Sequence, residues 1–197
     1  LSDPQFFRSF LFTVGFTVAS VFIINIAAFL IALALTRKIA GSTLFRTVFF
    51  MPNLIGGIVL GYIWKIILDG LIYKYAQTTL ALNATYGFWG LVILISWQQI
   101  GYMMIIYIAG LQSVPEELNE AAKIDGANGW QSLRHITIPT VMPSITICTF
   151  LTLTNSFKLF DQNLALTGGA PIAFTAEGQI KETEMLALNI YNTFYSN

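Results

Sequence analysis

Between Arg8 and Arg37 lie 28 consecutive positions without a charged side chain. At about 1.5 Å of rise per residue a helix of that length reaches roughly 42 Å, more than the ~30 Å hydrocarbon core of a bilayer. The run Phe10–Leu35 is therefore expected to cross a membrane, and the pattern recurs along the chain. A second stretch of 18 uncharged positions, Thr47–Trp64, continues through Ile66-Ile67-Leu68, so a span is expected over 47–68 with Lys65 reaching for the interface. A third is expected over 86–111 and a fourth over 138–166, and residues 185–197 read as the start of a fifth. Isolated strands cannot satisfy their backbone groups in lipid, and these runs lack the alternation of a β-barrel, so the spans are expected to be helices. Hydrophobic residues make up 55% of the chain and charged ones 10%, against roughly 25% charged in soluble domains. The fold class expected is all-α: a polytopic transmembrane helical bundle forming one domain over residues 1–197. The chain opens on Leu1 and stops at Asn197 just inside an apolar segment, so the bundle is expected to be incomplete at both ends.

Ten basic and ten acidic residues balance, which gives no bulk attraction for nucleic acid. The distribution of Lys and Arg sets the orientation. Arg37, Lys38 and Arg46 follow the first span, and Lys123 and Arg134 follow the third, whereas Arg8, Lys74 and Lys181 fall on the other connections. The positive-inside rule then places 36–46 and 112–136 in the cytoplasm and 1–8, 69–85 and 167–184 outside. Tyr62, Trp64, Tyr73, Tyr86 and Trp89 gather near the outer boundary, where amphipathic rings are favoured.

The connection at 112–136 is the most polar part of the chain. Ser113 and Glu116 have capping-box spacing, Pro115 suits a first helical turn, and Glu116 and Glu117 sit at the positive end of a helix dipole. Asp125-Gly126 is expected to end that helix and Asn128 with Gln131 to cap a second one. The result is a helix–turn–helix between two spans, either a solvated linker or a docking element whose small Ala121, Ala122 and Gly126 admit a close neighbour.

Glu120-Ala121-Ala122, Asp125-Gly126-Ala127 and Ile136-Thr137-Ile138-Pro139 together resemble the EAA loop in permease subunits of binding-protein-dependent bacterial ABC importers. Leu111, Val114 and Pro115 fit the same pattern, as do Phe45-Arg46 and Met51-Pro52. Thr167-Gly168-Gly169-Ala170-Pro171 resembles the T-G-G-G-P turn of the carbohydrate-uptake group, with Ala170 departing from its third glycine. The resemblance covers nearly the whole chain. It implies a six-span core of which this chain holds spans two to five and the start of six. It also implies that Glu116, Glu117, Glu120, Ala121, Ala122, Asp125, Gly126 and Ala127 seat in a cytoplasmic ABC ATPase dimer, with a second permease chain and an extracytoplasmic solute-binding protein as further partners, in the bacterial cytoplasmic membrane.

The chain shows no P-loop. Its similar glycine spacing, Gly56–Gly61, continues into Tyr62-Ile63 rather than Lys-Ser/Thr, and Gly57 with Gly61 forms a G-x-x-x-G suited to close helix packing. The chain is thus expected to be a transport subunit without its own ATPase site or cofactor, ATP and Mg being held by the partner. Cys148 and His135 each lack a ligand set at metal spacing. Polar residues within the spans mark a pathway or interhelical bonds: Asn53; Ser96, Gln98, Gln99 and Tyr102; Thr152, Asn155, Ser156, Lys158 and Asp161. Lys158 and Asp161, three apart, are expected to pair on one helix face. Amides, hydroxyls and rings suit a neutral polyhydroxylated solute. The resemblance places a sugar pocket around Asn53, Gly57, Gln99, Tyr102, Thr152, Asn155, Ser156 and Leu159. Alternatives are an ion-gradient-driven secondary transporter using Lys158 and Asp161, a membrane scaffold, or a permease for another solute such as glycerol phosphate.

Overall fold

The structure, a computed structural model, describes residues 4–36, 41–175 and 178–195. Arg37 and Lys38 of the expected cytoplasmic cluster, the first residues of the expected outward segment 1–8 and the last two of the segment 185–197 lie outside them. Among the described residues three helices are long and apolar enough to cross a membrane: α1 (Pro4–Thr36), α4 (Ala84–Gln112) and a segment over Gly129–Phe157. The last comprises α6 (Gly129–Ser132), a wide π-helical turn (Leu133–Thr137) and α7 (Ile138–Phe157). Pro139 explains the widened turn, because a proline lacks the N–H and crowds the carbonyl four residues earlier.

The expected second span is not one helix. α2 (Ser42–Phe50) runs into a 3₁₀ turn (Met51–Leu54) and bends by 101° into α3 (Gly57–Ala76). Pro52 removes a backbone donor, and Ile55 (ψ 132°) and Gly56 (ψ 139°) are extended. The fourth span ends earlier than 166, at Phe157; α8 (Asp161–Leu166) follows as a separate short helix. The outward connection holds a β-hairpin absent from the all-helical expectation, β1 (Ile172–Thr175) antiparallel to β2 (Gly178–Lys181), before α9 (Leu186–Tyr195).

α1, α4 and α7 form the core. Ser20, Ile24, Ala28 and Ala32 make a buried stripe of mostly small side chains along α1, while Phe22, Ile26 and Leu30 on the same helix are exposed apolar residues, as lipid-facing positions should be. A polar network crosses the three helices: Tyr107 Oη donates to Asn25 Oδ1 (2.7 Å), Asn25 Nδ2 donates to Thr152 Oγ1 (3.2 Å), and Thr152 Oγ1 donates to the Cys148 carbonyl (2.8 Å). α3 packs chiefly on α8. A Cβ on Gly57 would lie 2.8 Å from Asp161 Cβ and one on Gly61 2.6 Å from Ala165 Cβ, so the G-x-x-x-G is a close-packing face.

The two ends of the bundle are distinct. At one, Leu33 and Thr36 share a groove with Lys123, Asn128 and Ser132, and Arg46 donates to the Leu35 carbonyl (3.4 Å). At the other, Arg8 pairs with Glu182 (3.3 Å), and Gln5 Nε2 donates to Glu184 Oε2 (2.7 Å). The Glu184 carboxylate, its side chain 2% exposed, also takes Asn189 Nδ2 (3.0 Å), the Asn192 amide and Lys181 Nζ (3.5 Å). The connections assigned to one side by charge thus lie together, at opposite ends of the bundle.

Candidate functional site

Two features stand out, one at each kind of irregularity in the helices. The first is the 112–136 connection. α5 (Glu116–Ile124) starts after extended Pro115, with Glu116 and Glu117 in its first turn and Lys123 in its last. The Ser113–Glu116 box does not form: Ser113 closes α4, donating through Oγ to the Gly110 carbonyl (2.7 Å), and Pro115 takes the cap position instead. α5 ends as expected. Gly126 is left-handed (φ 78°), and the Ala127 N–H reaches back to the Ala122 carbonyl (2.9 Å). The Asn128–Gln131 box is complete, with Gln131 N–H to Asn128 Oδ1 (2.9 Å) and Asn128 N–H to Gln131 Oε1 (2.8 Å). Ser132 Oγ then donates to Asn119 Oδ1 (2.9 Å), tying the second helix to the first.

Of the eight residues the resemblance assigns to ATPase contact, Glu116, Glu117, Glu120, Ala121, Asp125 and Gly126 are exposed, Ala127 is half-buried and Ala122 is buried. The loop also exposes apolar side chains that the sequence reading passed over: Leu118, Ile124 (86% exposed) and Trp130 (66%). Their signal was available, since large apolar residues inside a charged connection have no lipid to face.

The second feature is a cavity of about 340 Å³ where the breaks after α2 and α7 meet, lined by Asn53, Gln98, Gln99, Asn155, Lys158, Leu159, Phe160, Asp161 and Gln162. Four of the eight residues proposed for a sugar pocket line it, namely Asn53, Gln99, Asn155 and Leu159. Gly57 stands at its edge, against Asp161 and Gln162. Tyr102, Thr152 and Ser156 do not line it: Tyr102 packs half-buried on the core, Thr152 belongs to the network with Asn25, and Ser156 is buried.

Gln98 holds the cavity together. Its Nε2 donates to the Ile55 carbonyl freed by the helix break (3.2 Å), and its Oε1 accepts from Gln162 Nε2 (2.8 Å). The break is pressed directly onto α4, because a Cβ on Gly101 would overlap the Phe49 carbonyl. The Gln99 Oε1 atom is buried and without a hydrogen-bond partner among the described residues. Lys158 and Asp161 do not pair. α7 ends at Phe157, so the two are not on one helix face, and the ion pairs among the described residues are Arg8–Glu182, Lys65–Asp69 and Lys181–Glu184. Gln98, Lys158 and Asp161 were legible as polar residues inside spans; Phe160 and Gln162 became recognisable only once the break brought them beside Asn53.

Residues 4–190 match the family described as "Binding-protein-dependent transport system inner membrane component". The "Probable starch degradation products transport system permease protein AmyD" of Thermoanaerobacterium thermosulfurigenes is 46% identical over 202 residues, covering 98% of this chain and 66% of that protein. The "Multiple sugar-binding transport system permease protein MsmF" of Streptococcus mutans is 32% identical over 206 residues, covering 100% of this chain and 68% of that one. The chain thus spans about two thirds of the length of these relatives. In fold it is similar to a chain of the bacterial alginate ABC transporter solved in complex with an alginate pentasaccharide-bound periplasmic protein, with TM-score 0.78, 18% identity, and 99% of this chain and 69% of that one covered.

Proposed function

The chain belongs to the family of binding-protein-dependent transport system inner membrane components, and from that membership we propose that it is the membrane-spanning permease subunit of an ATP-driven importer of a sugar or oligosaccharide. An extracytoplasmic binding protein delivers the solute to the end that carries the hairpin. A cytoplasmic ABC ATPase dimer, which holds ATP and Mg, grips α5 and α6, and a second permease chain completes the passage in the bacterial cytoplasmic membrane. The subunit itself catalyses nothing.

The observation that carries this reading is the exposed apolar surface of Leu118, Ile124 and Trp130 on a helix–turn–helix braced by its own hydrogen bonds at the end of the bundle where Leu33 and Thr36 lie. Such a surface costs free energy in water and suits a protein groove. The acidic first turn of α5 adds a rim that pairs with basic groups. Names of the relatives support sugar as the cargo: the permease for starch degradation products and the multiple-sugar permease both cover nearly all of this chain.

The test is Gly126→Val in the full-length chain assembled with its partners. Its side chain meets nothing within 4 Å, so only the turn is strained. Left-handed backbone at a β-branched residue costs about 1–2 kcal/mol, enough to tilt α5 against α6. Uptake should fall roughly tenfold while ATP hydrolysis and membrane insertion persist. Uptake at the unsubstituted rate would overturn the assignment of this turn to coupling.

A further inference from the structure

Lys158 and Asp161 line the cavity as opposite charges that do not form an ion pair with each other. We propose that these two residues make the cavity selective for neutral polyhydroxylated solutes over anionic sugars and phosphate esters, with Asp161 as the residue that rejects anions. The proposal rests on the transport reading above and names the class of solute that the same cavity accepts.

Lys158 closes the C-terminus of α7, where the negative end of the helix favours a cation. Asp161 opens α8, its Cβ 2.8 Å from where a Cβ on Gly57 would sit, so its side chain leaves the backbone beside the first residue of α3. A solute in the cavity therefore meets a donor-only ammonium and an acceptor-only carboxylate side by side. A polyol answers both, because every hydroxyl donates and accepts. It also offers a donor to the orphaned Gln99 Oε1 and partners to the amides of Asn53, Asn155 and Gln162. Phe160 supplies an aromatic group for the apolar side of a sugar ring.

An anion gains Lys158 but is set against Asp161. The formal charge of the lining sums to zero, so the attraction of Lys158 is countered by Asp161 and leaves no net gain to offset the lost hydration of the anion. A zwitterion matches the two charges but leaves the amides without partners.

The experiment uses the full-length chain with its partner permease and ATPase, without binding protein, so that only the cavity discriminates. Asn155→Cys, in a background with Cys148→Ser and no other reactive thiol, reports occupancy through its rate of labelling by a neutral maleimide. Maltotriose should slow labelling about fivefold or more, and trigalacturonate less than about twofold, since the Asp161 carboxylate repels those of the solute. Asp161→Asn should make trigalacturonate protect at least as well as maltotriose. Lys158→Gln should act in the opposite sense, leaving maltotriose protective and trigalacturonate without effect, and it keeps the proposal open to refutation if the Asp161 variant does not assemble. Equal protection by both solutes in the unsubstituted cavity, or variants that leave their ratio unchanged, would overturn the charge assignment. Protection by neither would remove the cavity from the solute path, and with it this proposal, while leaving the coupling role of α5 and α6 to its own test.

Discussion

At the scale of single residues, Gly101 is the tightest point between two backbones. The Phe49 carbonyl, at the end of α2, lies where a Cβ at 101 would sit, and the break that follows holds Asn53 at the cavity. Gly101→Ala must push the break away from α4, an overpacking that costs about 1–3 kcal/mol. The expected result is a clear fall in the thermal midpoint of the assembled transporter in detergent, together with slower uptake. Gly15→Ala, where nothing lies within 4 Å, should leave the midpoint unchanged and serves as the control. Equal midpoints for the two variants would show that the contact between α2 and α4 is not fixed. Gly101 carried no signal in the sequence, since its role depends on a carbonyl 52 positions earlier meeting it in space. Asn25 is a similar case. It sits in the middle of the charge-free run, and only the approach of Tyr107 and Thr152 explains a polar side chain there.

At the scale of elements, the α5–α6 helix–turn–helix is held by local chemistry. Asn128→Ala removes the side-chain half of the capping box at the start of α6, the acceptor of the Gln131 N–H, a loss of about 1 kcal/mol. Uptake should drop in proportion as α6 frays and Ser132 leaves Asn119, and faster proteolysis within 125–132 is the measurement that checks it; unchanged proteolysis would mean that the second helix is held from elsewhere. This box was legible because both partners lie three residues apart. So was the left-handed Gly126. The broken second span was not, although its causes were in plain view as Pro52 and the Gly56-Gly57 pair. Hydropathy counts apolar residues and is blind to where a helix loses its hydrogen bonds, so 47–68 read as continuous. The same blindness put Lys158 and Asp161 on one helix face when α7 in fact stops before either. The hairpin β1–β2 escaped notice because eight residues in two short strands give too little alternation to read.

At the scale of the whole molecule, charge and geometry agree on which connections share an end. Ile124 stands at one end and Phe174, 79% exposed on the hairpin, at the other. A cysteine at position 124 should react with a membrane-impermeant maleimide only in inside-out vesicles, and one at 174 only in intact cells stripped of their outer barrier. Labelling of both from the same side would refute the topology. The helix break carries one more consequence, for the life of the chain in a cell. A span that bends by 101° leaves the first-turn amides of α3 without intrahelical partners, with Gly57 against Asp161 and Gln162. Acyl chains cannot solvate any of these groups. A copy made in excess of its companions would therefore expose a polar scar in the lipid, which is the kind of defect that membrane quality-control proteases extract and destroy. Subunit stoichiometry can be enforced by the backbone itself, with orphan copies short-lived and assembled ones persistent.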